Sequence, residues 1–326
     1  MQRTIKDYLV ISLKGLAMGA ADVVPGVSGG TIAFISGIYN ELIDSISAFN
    51  LKNLKVWKSN GFVAFFKAVN GYFLLSLFTG IGISVLSLAN VFKYLLETKP
   101  ILVWAFFFGL VLASVLFIAK QITKWNILHV FLLLVGAITA YYITTIPATN
   151  GVNNSSIFLV FAGALAICAM ILPGISGAMI LLLLGAYKPA IDALHNFDIK
   201  KISLLILGAI IGLLTFSRVL KWLFDHYKNA TLAVLTGFVI GSLNKIWPWK
   251  KATKLRLNSN DEWVYYSDYS VLPNNYDVPM LDSLSKTGIP SLYQQTNPQI
   301  FHAIILAILG FSLILLLEKL GNKKIS

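Results

Sequence analysis

Charge is what this 326-residue sequence has least of: Asp, Glu, Lys and Arg make up 12% of it, and only 14 residues are acidic. Soluble domains carry about 25% charged residues. Hydrophobic residues make up 57% and mean hydropathy is +0.75, so an ordinary soluble globular fold is excluded. Cysteine is almost missing too. The lone Cys168 lies in an apolar run, which excludes an intramolecular disulfide and a cysteine-built metal site. His129, His195, His226 and His302 are scattered without ligand spacing, and no paired carboxylates, nucleophile elbow or Walker loop occurs. Neither a metal, a cofactor nor ATP-driven chemistry is expected.

Long apolar runs are present instead. Ile101 to Ala119, Ile127 to Ile146, Ile157 to Leu172, Ile202 to Leu214 and Phe301 to Leu317 reach or approach the roughly 20 residues that cross a hydrocarbon core as helix. The class predicted is an all-α polytopic membrane protein. Net charge is +12, but the basic residues, such as Lys52, Lys55 and Lys58, sit between apolar runs. Anchoring to anionic lipid headgroups accounts for them, and no nucleic-acid partner is expected. The stretch from Met1 to Ala21 has signal-like features, yet Lys14 interrupts it and the motif that follows recurs later, so it is expected to remain as structure.

The chain repeats itself. A shift of 148 places ADVVPGVSGGTIAFISGIYNELID on AMILPGISGAMILLLLGAYKPAID, matching Pro25 with Pro173, Gly26 with Gly174, Ser28 with Ser176, Gly29 with Gly177, Gly37 with Gly185, Tyr39 with Tyr187 and Asp44 with Asp192. A second block matches at a shift of 128, placing Lys93 on Lys221, Gly109 on Gly237 and Ser114 on Ser242. The difference implies a linker 20 residues shorter in the second half, consistent with the polar stretch Asn50 to Gly61 in the first. Two repeats are therefore predicted, 1–150 and 151–326, each a broken-helix hairpin (11–46 and 157–195) followed by three transmembrane helices, with a polar insertion at 245–298 expected to fold as a small cap.

Each broken segment is too long for one straight span and too short for two with a turn, so a re-entrant hairpin fits it. Pro25, Gly26, Pro173 and Gly174 unwind the helix there. Unwound backbone at membrane depth is tolerated where it is buried in protein or lines a cavity, which marks the breaks as a site. A hairpin adds no net crossing and three helices make an odd number, so the repeats are expected to have inverted topology, with both termini cytoplasmic. Lys200, Lys201 and the basic cluster from Lys245 to Arg256 count against that orientation.

Two Pro-Gly-Ser breaks brought together near the midplane form the expected binding site of a secondary transporter. A helix restarting at Ser28 or Ser176 offers free N–H groups and a positive dipole end to an anion. Ser28, Gly29, Gly30, Thr31, Ser176 and Gly177 are the candidate phosphate cradle, although such glycines also serve close helix packing. Arg218 is the candidate bidentate phosphate ligand, with snorkelling to the interface as the plainer account. Asp22, whose counterpart is Met170, is the candidate carrier of a coupling H⁺ or Na⁺, or a partner of Lys14 or Arg218. Solvation suffices for Glu41, Asp44 and Asp192 near the hairpin ends, and an aromatic belt for Trp247 and Trp249.

GLAMGAADVVPGVSGGTIAFISGIYNELID, LPGISGAMILLLLGAY and GFVIGSLNKIWPWK resemble the polyprenyl-phosphate transporter family PopT over nearly the whole chain, least in 251–298. The resemblance implies a bacterial cytoplasmic-membrane protein returning undecaprenyl phosphate from the outer to the inner leaflet. Asn244 stands where Arg is expected in that family. The rival enzyme reading comes from PGVSGGTI, which also looks like the PG-x-SRSG-x-T motif of undecaprenyl-pyrophosphate phosphatases. Gly29 replaces that family's arginine, and no close pair of glutamates accompanies it. A carrier of a small soluble anion remains a third reading.

Overall fold

The computed structural model describes residues 3–23, 27–146, 155–257, 263–285 and 288–322. Pro25 and Gly26, the turn at 147–154 and the acidic pair Asp261 and Glu262 lie outside them. The described chain runs α1 (Ile5–Val23), α2 (Gly29–Ile35), α3 (Tyr39–Ser47), α4 (Leu51–Ala68), α5 (Gly71–Thr98), α6 (Pro100–Lys120) and α7 (Ile127–Thr145). It continues with α8 (Ser156–Ile171), α9 (Gly177–Leu183), α10 (Tyr187–His195), α11 (Ile199–Ser242), β1 (Lys250–Leu257), β2 (Trp263–Ser270), β3 (Asp277–Pro279), β4 (Tyr293–Gln295) and α12 (Ile300–Asn322). Four helices, within 71–88, 100–120, 127–145 and 199–242, are long and apolar enough to cross a membrane.

Element bounds follow the sequence shifts. The ends of α1, α2 and α3 at 23, 35 and 47 reappear at 171, 183 and 195 in α8, α9 and α10. Gly37 (φ 73°) and Gly185 (φ 72°) turn the chain after α2 and α9 in the left-handed region that only glycine enters without strain. At the shift of 128, α5 corresponds to residues 199–226 of α11. The junction residue Lys99 (φ −138°, ψ 47°) corresponds to Tyr227 (φ −134°, ψ 44°), where α11 kinks. Pro100 enforces the first break, whereas no proline marks the second. The kink divides α11 into two limbs, which answer to α5 and α6.

The predicted polar linker is instead helical, α4, broken in two at Gly61 (φ 82°, ψ 172°) and without a counterpart in the second half. Its Trp57, Phe62 and Phe65 rings cluster on one another at centroid distances of 5.5 to 6.5 Å, and none of its residues is buried.

Chain direction is fixed by contacts between segments. Arg3 grips the Glu41 carboxylate with both guanidinium nitrogens at 2.6 Å, and Lys14 Nζ donates to Ser36 O at 2.6 Å, so α2 and α3 return antiparallel along α1. Asn70 Nδ2 donates to Glu41 at 2.7 Å and Ser45 Oγ at 3.1 Å, tying the start of α5 to the same base. The first limb of α11 starts beside the end of α10 and reaches the base of α3, where Lys221 pairs with Asp44. At 1.5 Å per residue that limb is about 40 Å long, so the bases of the two hairpins lie at opposite ends of it.

Packing exchanges the last helix of each half. α1 lies on α5 and α8 on the first limb of α11, but α6 packs on α12 while α7 packs on the second limb of α11. Glycines let these backbones meet. A Cβ at Gly109 would collide with the Ala307 carbonyl, and one at Gly237 with that of Leu133; Gly15 faces Leu77 O and Gly163 faces Leu205 O, again at matching positions.

The insertion departs from the all-α expectation. It forms two antiparallel pairs, β1 with β2 and β3 with β4. The run WVYYSDYS is rich in aromatic and β-branched residues, which favour strand. Trp247 Nε1 donates to Val271 O and Trp249 Nε1 to Pro298 O, both at 2.8 Å. These tryptophans fasten the cap onto the helices rather than forming a lipid-facing belt. Asn244 joins the same joint: its Oδ1 accepts from Ser270 Oγ at 2.7 Å, and its carbonyl accepts from Lys250 Nζ at 2.6 Å.

Overpacking a close contact costs about 1–3 kcal/mol. Gly109→Val and Gly237→Val are each expected to lower the melting temperature in detergent by roughly 2–10 °C. Gly82→Val leaves it unchanged, because a Cβ at that position meets nothing within 4 Å. Burial pushes the Lys250 ammonium down from its ordinary 10.5 to about 8. The unfolded chain then binds more protons between those values, so cap stability rises with pH from about 8 to 10.5. Differential scanning fluorimetry of Lys250→Met across that range is expected to lose this rise.

Candidate functional site

The two breaks meet. Ser28 Oγ donates to Leu172 O at 3.2 Å and Met170 O at 3.3 Å, carbonyls at the α8 end, where Leu172 O also accepts from Ile175 N–H at 3.4 Å. In return the Gly174 N–H donates to Thr31 Oγ1 at 3.0 Å. Gly30 permits this approach, because a Cβ there would press on the Met170 and Ile171 carbonyls. Gly174 (φ 87°) passes so near Phe238 and Val239 of α11 that a Cβ would lie 2.9 Å from both. Pro173 is buried in the same turn.

The two helix starts at the junction differ in charge. Ser28 caps α2 by accepting from Gly30 N–H at 3.1 Å, and the Asp22 carboxylate accepts from Gly29 N–H at 2.7 Å. A carboxyl group supplied by the chain therefore already occupies the α2 N-terminus. A Cβ on Gly29 would overlap that carboxylate. At the α9 start the corresponding place is taken by Ala166 and Met170 against Gly177, and Ser176 Oγ caps nothing. Asp22 pairs with neither Lys14 nor Arg218 among the described residues; its partner is backbone.

Of the expected cradle, Ser28, Gly29, Gly30, Thr31, Ser176 and Gly177 are brought to one junction, and all are buried. Arg218 is not. It is exposed on the first limb of α11 and its Nη2 donates to Phe49 O at 2.9 Å, past the end of α3 at the base of the first hairpin. A long helix carries it beyond the junction toward its own end, as snorkelling requires. Glu41 and Asp44 are not merely solvated: they pair with Arg3 and Lys221. Sequence reasoning missed these cross-pairs, because spacing along one segment does not reveal its partner on another.

Thr31→Val strands the buried Gly174 N–H, a cost of about 1–3 kcal/mol, whereas Thr31→Ser keeps the acceptor. Thermal unfolding in detergent is expected to separate the two variants, with only valine lowering the midpoint.

The family description that matches residues 18–264, and so both breaks, reads undecaprenyl phosphate translocase-like. A protein of Vibrio cholerae named polyprenyl-phosphate transporter is 44% identical over 318 residues, covering 97% of this chain and 98% of its own. One of Staphylococcus aureus with the same name is 34% identical over 253 residues, covering 72% of this chain and 85% of its own. No solved structure matches. With a matched region running through both breaks and relatives this similar over this much of its length, the chain belongs to the undecaprenyl phosphate translocase-like family.

Proposed function

We propose that this protein carries a polyprenyl phosphate such as undecaprenyl phosphate between the leaflets of the bacterial cytoplasmic membrane, returning it from the outer leaflet to the inner, without chemical change to the lipid. The names of the relatives in Vibrio cholerae and Staphylococcus aureus support the cargo. The observation that carries the mechanism is the joining of the two breaks through Ser28, Thr31 and Gly174.

In this reading α1–α3 and α8–α10 are re-entrant hairpins of two inverted repeats, 1–150 and 151–326, that reach toward each other from opposite faces. Antiparallel return along α1 and the roughly 40 Å limb between the hairpin bases support it. Lys52, Lys55 and Lys58 follow the base of the first hairpin, which supports a cytoplasmic position for that base and for both termini. A monophosphate headgroup cannot enter hydrocarbon unaided, whereas its prenyl tail stays in lipid, so a polar junction open sideways suffices.

The free half of the junction, Ser176 and Gly177, receives the phosphate first. The half built from Ser28, Gly29, Gly30 and Thr31 is held by Asp22, and a second negative charge there is repelled by the carboxylate. Protonation of Asp22, or Na⁺ beside it, removes the repulsion, and this links headgroup binding to ion uptake. Arg218 serves at the hairpin base, where the headgroup enters or leaves.

Proteoliposomes holding the purified protein and undecaprenyl phosphate test this. Leaflet exchange is expected without phosphate release, and Asp22→Asn is expected to abolish acceleration by an imposed proton or sodium gradient while Arg218→Ala slows exchange about tenfold, the loss of one charge-assisted contact. Phosphate released from the pyrophosphate lipid would make the protein an enzyme, and uptake of a soluble anion without lipid exchange would replace the cargo.

A further inference from the structure

We infer that the cap carries a carbohydrate-binding cleft, built where its two small sheets meet and separate from the junction of the breaks. On the transport reading the cap stands outside the cytoplasm, where glycans are within its reach, but the cleft itself is argued from its own residues.

Strand register brings the lining together. Lys251 on β1 pairs across from Tyr269 on β2, and Asp277 on β3 pairs across from Gln295 on β4, with Tyr293 two residues earlier on the same face. Lys251 then joins the two sheets. Its Nζ donates to Asp277 Oδ2 at 2.6 Å and lies 4.2 Å from the centre of the Tyr293 ring. The Tyr293 hydroxyl donates to Ala252 O at 2.7 Å and holds β4 against β1.

These residues line a cavity of about 530 Å³, within the roughly 300–1,000 Å³ of small-molecule sites. Val271 and Tyr276 line it too, and both pack on the cluster of Trp249, Ile101 and Ala303 that fastens the cap to the helices. The cleft is therefore shaped by the fold of the cap and by its joint with the bundle before any ligand arrives. The family match ends at residue 264, so every described lining residue except Lys251 lies beyond it.

The chemistry of the lining selects a neutral, polar ligand. Lys251 and Asp277 are its charged residues, and they pair with each other, so charge does not favour a phosphate or another ion. Neutral groups are the ones left to bind. The side-chain amides of Asn274, Asn275 and Gln295 are exposed and make no hydrogen bond among the described residues, and neither does the Tyr269 hydroxyl. An amide presents a donor and an acceptor side by side, which matches neighbouring ring hydroxyls that each donate and accept. Tyr269 is 50% exposed, and its ring offers an apolar surface to the C–H face of a sugar. Among the described lining residues Val271 alone is aliphatic, so the side chains of a peptide or the acyl chain of a lipid find little there.

Saturation-transfer difference NMR of the full-length protein in nanodiscs tests the cleft, with diacetylchitobiose, maltose, mannobiose, trialanine and inorganic phosphate as probes and no sugar-based detergent carried over. At least one disaccharide is expected to receive saturation, and trialanine and phosphate none. Tyr269→Ala is expected to weaken that disaccharide about tenfold, the loss of one ring contact. Tyr269→Phe keeps the ring and is expected to stay within about threefold, whereas Gln295→Ala, at an exposed position, weakens binding about threefold to tenfold. Nanodiscs doped with diglucosyl diacylglycerol separate the two sources of sugar: a lipid's sugar head displaces the soluble signal, and an undiminished signal assigns the cleft to free glycan. No saturation of any disaccharide, equal transfer to trialanine or phosphate, or binding that survives both Tyr269→Ala and Gln295→Ala would overturn the proposal. Both faces of a nanodisc meet solvent and no lipid movement is read, so failure of the transport reading remains distinguishable from failure of the cleft.

Discussion

Backbone that leaves a helix inside an apolar interior must find partners for its N–H and C=O groups, and no solvent is present there to supply them. At the centre of this protein the two broken segments do it for each other. The exposed carbonyls at the end of α8 accept from Ser28, and the free amide of Gly174 finds the Thr31 hydroxyl. Neither break is satisfied by its own hairpin alone. The need for reciprocal satisfaction sets where the hairpin tips lie, and the surrounding helices are placed to hold them there. Gly30 has its place because a side chain there would hold the two tips apart, and Gly174 because one there would press on α11.

The same constraint explains the division of labour between the halves. Asp22 brings a charge to one helix start and leaves its counterpart neutral, so the junction is symmetric in backbone and asymmetric in electrostatics. Glu41 and Asp44 pair with Arg3 and Lys221 at the base of the first hairpin.

Much of this was legible in the sequence. Pro, Gly and Ser recur at fixed shifts because each performs a backbone task no other residue replaces, while the apolar residues between them drift among equivalents. Helix ends at 23 and 171, or 35 and 183, accordingly fall where the repeat puts them. Arg218 was not legible: a charge within an apolar run is located by how far its helix extends, and the length of the first limb of α11, up to the kink at Tyr227, left no mark in composition. The strand character of the cap was present in WVYYSDYS but was outweighed by the charges around it. Lys52, Lys55 and Lys58 suggested a solvated linker, whereas the stretch is two short helices that fold at Gly61 so that Trp57 meets Phe62 and Phe65.

The exchange of final helices ties the fold to the order of synthesis. α6 emerges early, yet the surface that Gly109 presents is completed only by Ala307 on α12, from near the other end of the chain. Until then an unfilled small-residue face waits in the bilayer. The insertion machinery must therefore tolerate a half-assembled bundle, and premature termination anywhere before α12 strands α6 as well as removing α12. Docking of the last helix is therefore the step that completes the surface of α6.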